Sequence, residues 1–284
     1  MSTITTENDQ YLTYILADGD SQIAVVPERG GIVTSWKIQG KEVFYLDAER
    51  FKDPSLSVRG GIPLLFPICG NLPDDTYTLE DDETYQLKQH GFGRTLPWEV
   101  TQQSTDDGAS ITLTLTSSEE TLAVYPFDFQ LDYIYTLKGN TLEQRFRHTN
   151  LSDEPMPFST GTHPYFAVAD KAKLGFDLPS TDYKVKDGNK VFNFDGQFDF
   201  TQDEIDVAFI NLEDQTATVK DGSSTLTLSF DENYSTLVFW TVKGKDFYCL
   251  EPWSGPRNAI NTGDFLLSAS PQETVETVIT MTVS

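Results

Sequence analysis

The chain has 284 residues, 38% hydrophobic and 12% aromatic, with 19 Phe and 12 Tyr, enough apolar mass for a sizeable core and too much for a disordered chain. Its formal net charge of −24, from 44 acidic and 20 basic residues, sets up a field that repels nucleic acid and anionic membranes. No apolar run of about 18 residues occurs, so no membrane-spanning helix is expected.

The N-terminus, MSTITTENDQ, lacks the basic and apolar regions of a signal peptide, and a cytoplasmic location is the expectation. The segment 57–71, SVRGGIPLLFPICGN, combines Gly60-Gly61 with Pro63 and Pro67 and predicts an ordered irregular loop carrying Arg59. No helix clearly follows these glycines, so the pattern supports a phosphate cradle only weakly. At 89–94, QHGFGR places His90 and Arg94 four residues apart in a turn or loop. Alternation of apolar and polar positions then predicts half-buried strands at 110–116, 129–137, 141–148, 224–230, 236–242 and 274–283. They are rich in Thr, Val, Ile, Phe and Tyr, the residues that suit a pleated surface. Turn signals separate them at Asp107-Gly108, Gly139-Asn140, Asp187-Gly188-Asn189 and Asp221-Gly222. No long stretch has a 3.6-residue period. The expected fold is therefore all-β, one domain over 1–284 built from two large stacked antiparallel sheets rather than a small closed barrel, with few, short, peripheral helices.

Three histidines are present. His148 closes an alternating strand beside a turn and reads as a solvated strand-end residue. His163, in STGTHPYF, lies where Gly161 and Pro164 interrupt a strand and Tyr165 and Phe166 add an aromatic wall. That context suits a site on a sheet face and equally a satisfied core histidine. Glu251, in FYCLEPWSGPRN, shares a strand face with Phe247 and Cys249. A carboxylate among such neighbours is partly desolvated, which raises its pKa towards the range useful for proton transfer. Asp206 in TQDEIDVAF and Arg94 read locally as ordinary surface charges. Cys69 and Cys249 belong to no CxxC pair, so buried thiols are expected and a structural zinc site is not.

Taken in order, VRGGIP…FP, QHGFGR, GTHPYF, DEIDVAF and EPWSGP resemble the aldose 1-epimerases of the galactose mutarotase-like superfamily, including the glucose-6-phosphate 1-epimerase branch. The likeness spans about residues 20–280. It implies a β-supersandwich, no cofactor, no metal, and a small-molecule sugar or sugar phosphate as the partner. It further implies His163 as general acid towards the ring oxygen, Glu251 as general base for the anomeric hydroxyl, His90 and Asp206 as sugar ligands, and Arg59 and Arg94 near a phosphate. The chain departs from the pattern at Asn71, where relatives acting on free sugars often carry an arginine, which tilts the reading towards phosphorylated sugars. Two other readings fit the same residues. One is a carbohydrate-binding protein without turnover. The other is a two-His-one-carboxylate metal site from His90, His163 and Glu251. Oligomeric state is not legible in the sequence.

Overall fold

A computed structural model describes the chain apart from Glu80, Asp81, Asp82, Asp187 and Asn189. Two of the residues in the Asp187-Gly188-Asn189 turn signal thus lie outside the described residues. Two eight-stranded antiparallel sheets dominate the architecture. The first runs Gly175–Asp177, Thr216–Asp221, Ser224–Phe230, Thr274–Val283, Thr141–Asn150, Phe129–Lys138, Ala109–Thr116, Glu99–Ser104. The second runs Val191–Asn193, Asp182–Val185, Glu204–Phe209, Thr236–Val242, Phe247–Trp253, Gly161–Thr162, Leu64–Leu65, with Tyr165–Ala167 also paired to Phe247–Trp253. A five-stranded sheet from Thr3–Asn8 to Lys41–Glu42 completes the larger elements. The described α-helices span four or five residues each, and none is long and apolar enough to cross a membrane.

The alternating segments form strands where their periodicity places them. Ser224–Phe230, Thr236–Val242 and Thr274–Val283 match the predicted limits, and the other three extend them by one or two residues. Inward-facing aromatics weld the two large sheets. Phe176 of the first meets Phe239 of the second at 5.4 Å between ring centroids, and Phe66 packs edge-on against Phe129 at 5.4 Å. Burial of such side chains, about 1.5–3 kcal/mol each, is the main stabilising contribution. Gly61 shows how close the layers come: a Cβ there would lie 2.1 Å from the Val33 carbonyl oxygen. The double glycine therefore serves close backbone packing, Gly61 against the five-stranded sheet and Gly60 against Tyr45-Leu46, rather than an anion cradle.

His148 is not the solvated strand-end residue expected. It is fully buried, because strand Thr141–Asn150 runs past it and turns Leu142, Gln144, Phe146, His148 and Asn150 inward together. Its Nε2 lies 3.0 Å from the Tyr133 hydroxyl and 3.1 Å from that of Thr160. Nδ1 lies 3.3 Å from the Val275 carbonyl oxygen, which assigns the proton to Nδ1. Burial depresses its pKa from 6.5 to about 3. Below pH 6.5 the unfolded chain binds a proton that the folded chain refuses, so this histidine's contribution to stability is lost as pH falls from about 6.5 towards 3, at up to about 1.4 kcal/mol per pH unit. Replacing His148 with Gln is expected to flatten the fall of the melting temperature between about pH 6.5 and 4. Parallel curves for the variant and the parent would show that His148 is not the titrating group.

Candidate active site

The outer face of the second sheet carries Glu251 and Asp206, His163 sits in the break between two of its short strands, and Arg59, His90 and Arg94 come from loops. Strand Phe247–Trp253 is buried along its whole length. Tyr248 and Leu250 enter the main core, and alternation puts Phe247, Cys249, Glu251 and Trp253 on the opposite face. The shared face inferred for Phe247, Cys249 and Glu251 is thus the observed one. Glu251 stands mid-strand and is only 1% exposed.

Register explains how His163 meets Glu251. Gly161 pairs with Trp253 and Tyr165 pairs with Cys249. The residues midway between these two pairs are His163 and Glu251, which face each other where His163-Pro164 interrupts the strand. The His163 backbone N–H is held by the Pro63 carbonyl at 3.0 Å. The grid continues on the far side of Glu251: Val238 pairs with Glu251, Trp240 with Cys249, and Asp206 with Trp240. Opposed side chains in such a grid converge within about 5 Å.

His163 Nε2 lies 3.4 Å from Glu251 Oε1, and Glu251 Oε2 accepts from the Trp253 indole N–H at 3.2 Å. The His163 ring stacks on Tyr165 with centroids 4.7 Å apart. His90 stands edge-on to both His163 and Trp253, each at 5.6 Å. Its backbone is left-handed, φ 68°, and reciprocal bonds with Gly70 fix it there. His90 N donates to the Gly70 carbonyl at 2.8 Å, and Gly70 N donates to His90 Nδ1 at 3.0 Å. An accepting Nδ1 leaves the proton of a neutral ring on Nε2. Gly91 follows in the same conformation, where a Cβ would strike the Phe66 carbonyl oxygen at 2.2 Å.

Burial sets the protonation of the pair. It pushes the Glu251 carboxyl well above its ordinary 4.5, an effect that nearby Asp206 reinforces and Arg257 opposes. It lowers the His163 imidazole from 6.5 to about 3, helped by the cation of Arg94. His90 is likewise held well below 6.5, first by burial and then by Arg94. Both charged forms are disfavoured, yet a neutral acid beside a neutral imidazole contains the same single transferable proton as a carboxylate beside an imidazolium.

Around this pair lies a polar cavity of about 210 Å³, whose lining includes Arg59, Arg94, Lys186, Asp206, Trp240 and Arg257 in addition to His90, His163 and Glu251. All six predicted site residues are brought together there. Asp206 is no lone surface acid: its carboxylate bonds Arg257 at 2.6 Å and lies 3.6 Å from Lys186 Nζ. Among the described residues Arg94 pairs with no surface carboxylate. Its guanidinium donates to the Gln89 carbonyl at 2.7 Å, and its Nε is buried without a partner. Among the described residues neither Arg59 nor Arg94 has a carboxylate within ion-pair distance. Arg257, Lys186 and Trp240 escaped the sequence reading. Arg257 offered a signal, since it lies four residues after Trp253 of the Glu-Pro-Trp motif in a chain poor in bases; Lys186 offered none. A larger groove of about 960 Å³ lies elsewhere, bordered by Glu42, Asn140, Asp246 and Tyr248, and holds none of the predicted site residues.

The residues 13–280 match the model of the Aldose 1-epimerase family. The structure of the Slr1438 protein from Synechocystis sp. PCC 6803 is similar over 100% of this chain and 99% of that one, with TM-score 0.94 and 45% identity. A galactose mutarotase-like protein from Clostridium acetobutylicum shares the fold over 100% and 98% of the two chains, with TM-score 0.86 and 21% identity. A protein of Escherichia coli K12 named "Putative glucose-6-phosphate 1-epimerase" is 26% identical over 257 residues, 89% of this chain and 78% of its own.

Proposed function

This chain belongs to the aldose 1-epimerase family, and on that premise we propose that it interconverts the α and β anomers of a hexose 6-phosphate through His163 and Glu251. The observation that carries the reading is the facing pair itself, 3.4 Å apart on the floor of a cavity sized for one sugar ring. Ring opening takes the proton from the C1 hydroxyl and delivers one to the ring oxygen as the bond from C1 to that oxygen breaks. Glu251 as carboxylate accepts the first proton, and His163 as imidazolium supplies the second. Rotation about C1–C2 in the open aldehyde and reclosure with the roles reversed gives the other anomer. The atoms balance without a cofactor. His90, with its proton on Nε2, offers a donor to the sugar, and Asp206 an acceptor for a hydroxyl.

The phosphate part of the proposal rests on charge. In a chain of net charge −24, four cations line one small cavity beside the carboxyls of Glu204, Asp206 and Glu251, and among the described residues Asp206 engages Arg257 and Lys186. Arg59 and Arg94 remain to meet an anion. Their local attraction outweighs a distant acidic surface that cellular salt screens beyond about 8 Å. The E. coli relative, by its name, concerns the same kind of substrate. NMR exchange or polarimetry with glucose, galactose and glucose 6-phosphate in parallel tests it. The phosphorylated sugar should show the highest kcat/KM. Faster turnover of a free hexose would overturn the phosphate assignment, and sugar binding without acceleration would favour a binding protein.

The coupled pair also predicts a pH profile. Activity requires that Glu251 and His163 together hold one proton. The second proton enters only as pH approaches about 3, far below an ordinary histidine, because burial resists the imidazolium. The last proton leaves above the ordinary carboxylate range, because burial resists the carboxylate. Measured with an uncharged sugar, kcat should therefore not fall as pH is lowered from about 7 to about 5. An acid limb centred near 6.5 would contradict this arrangement.

A further inference from the structure

We infer that His163, Cys249 and Glu251 form a site for a thiophilic divalent cation, with zinc as the type case, whose binding stops turnover. The strand grid makes the site. Cys249 and Glu251 are alternate residues on one face of strand Phe247–Trp253, and His163 opposes Glu251 from the neighbouring strand. One ligand atom from each, a nitrogen, a sulfur and an oxygen, lies within 4.8 Å of the others. The two-His-one-carboxylate alternative gives way here to a His-Cys-Glu set, because Cys249 rather than His90 completes the cluster among the described residues.

The donor set selects the ion. Tetrahedral zinc bonds of about 2.0–2.3 Å place neighbouring ligand atoms about 3.5 Å apart. His163 Nε2 and Glu251 Oε1 already stand at 3.4 Å, so only Cys249, within 4.8 Å of both, has to close in, by up to roughly 1.3 Å. His163 and Glu251 line the sugar cavity, which leaves the fourth position facing it, as an open zinc site requires. Thiolate and imidazole favour zinc, cadmium or cobalt, whereas magnesium and calcium need six or more oxygens. As the metal binds, two protons pass to solvent, that of the Cys249 thiol and the one that His163 and Glu251 share. The set lacks one feature of a resident site. His163 Nδ1 is buried with no hydrogen-bond partner, whereas a metal-bound imidazole is normally anchored through its second nitrogen. The cation is accordingly an exchangeable inhibitor with micromolar affinity, not a cofactor.

The inhibitory half of this inference rests on the acid–base reading above; the binding half does not. The experiment separates them by titrating the intact protein with Co2+ and following the thiolate-to-cobalt absorption, while Zn2+ is titrated against anomer interconversion. One cobalt per chain is expected, with a charge-transfer band that is absent from Cys249→Ser and Cys249→Ala. Zn2+ at tens of micromolar should slow the parent protein about tenfold or more, reversibly on chelation, while millimolar Mg2+ does nothing. Cys249→Ser should turn over like the parent and need at least about tenfold more zinc. A cobalt band in a protein without epimerase activity keeps the cation site and fails the acid–base reading. Absence of the band, or undiminished zinc sensitivity in both cysteine variants, overturns the site.

Discussion

Glu251→Gln should lower kcat for anomer interconversion by roughly 10²-fold or more, with KM changed little. The amide is isosteric, and its oxygen can still accept the Trp253 indole N–H that now bonds Oε2 at 3.2 Å. What it cannot do is take the proton from the C1 hydroxyl. Because the lost interaction is made in proton transfer and not in sugar binding, the deficit falls on kcat. The fold should tolerate the change. Burial raises the Glu251 pKa, so this carboxyl contributes most to stability below its unfolded-state value and loses that contribution as pH rises through its folded one. Gln carries no charge at any pH, and the variant should gain on the parent protein as the solution becomes more alkaline. Circular dichroism and a melting curve establish that the variant is folded. Near-normal turnover in that folded protein would remove Glu251 as the base.

The same residue shows what a sequence exposes and what it hides. Period-two patterning is a local property, and it located six strands and put Glu251 on the face of Phe247 and Cys249. It could not place His163 opposite Glu251, because that depends on pairing between segments far apart in the chain; the order of the family-like motifs carried that expectation. His148 was misread for a related reason. Its alternation with Leu142 and Phe146 marks an inward face, but the adjacent polar residues suggested a strand end. Asp206 looked like one acid among 44 until Arg257 and Lys186 were seen to converge on it. The five-stranded N-terminal sheet escaped notice because the motif order begins downstream of its first strands. Partially buried faces such as that of Leu12–Asp18 give a weaker contrast between apolar and polar positions than core strands do.

Arg94→Ala is expected to cut kcat/KM for glucose 6-phosphate by about 10–100-fold while leaving a free hexose within about threefold, the range set by losing a charge-assisted contact of about 1.5–3 kcal/mol. Arg94 is suited to this role because its surroundings do not satisfy it. Its one described hydrogen bond goes to a neutral carbonyl, that of Gln89, and its Nε is buried and unpaired. Burial also depresses its pKa, the mark of a cation whose desolvation is not yet offset by an anion. A phosphate would supply that anion, and bidentate contact would suit a guanidinium better than an ammonium. Arg94→Lys should therefore recover only part of the loss. Arg59, more exposed, should give a smaller and more salt-sensitive effect when changed to Ala. Arg257 provides the contrast: its charge is engaged by Asp206 at 2.6 Å, so its removal should affect free and phosphorylated sugars alike by releasing Asp206. Equal losses on both sugars for Arg94→Ala would place this arginine against the ring hydroxyls and leave the surplus of positive charge to serve neutral sugars.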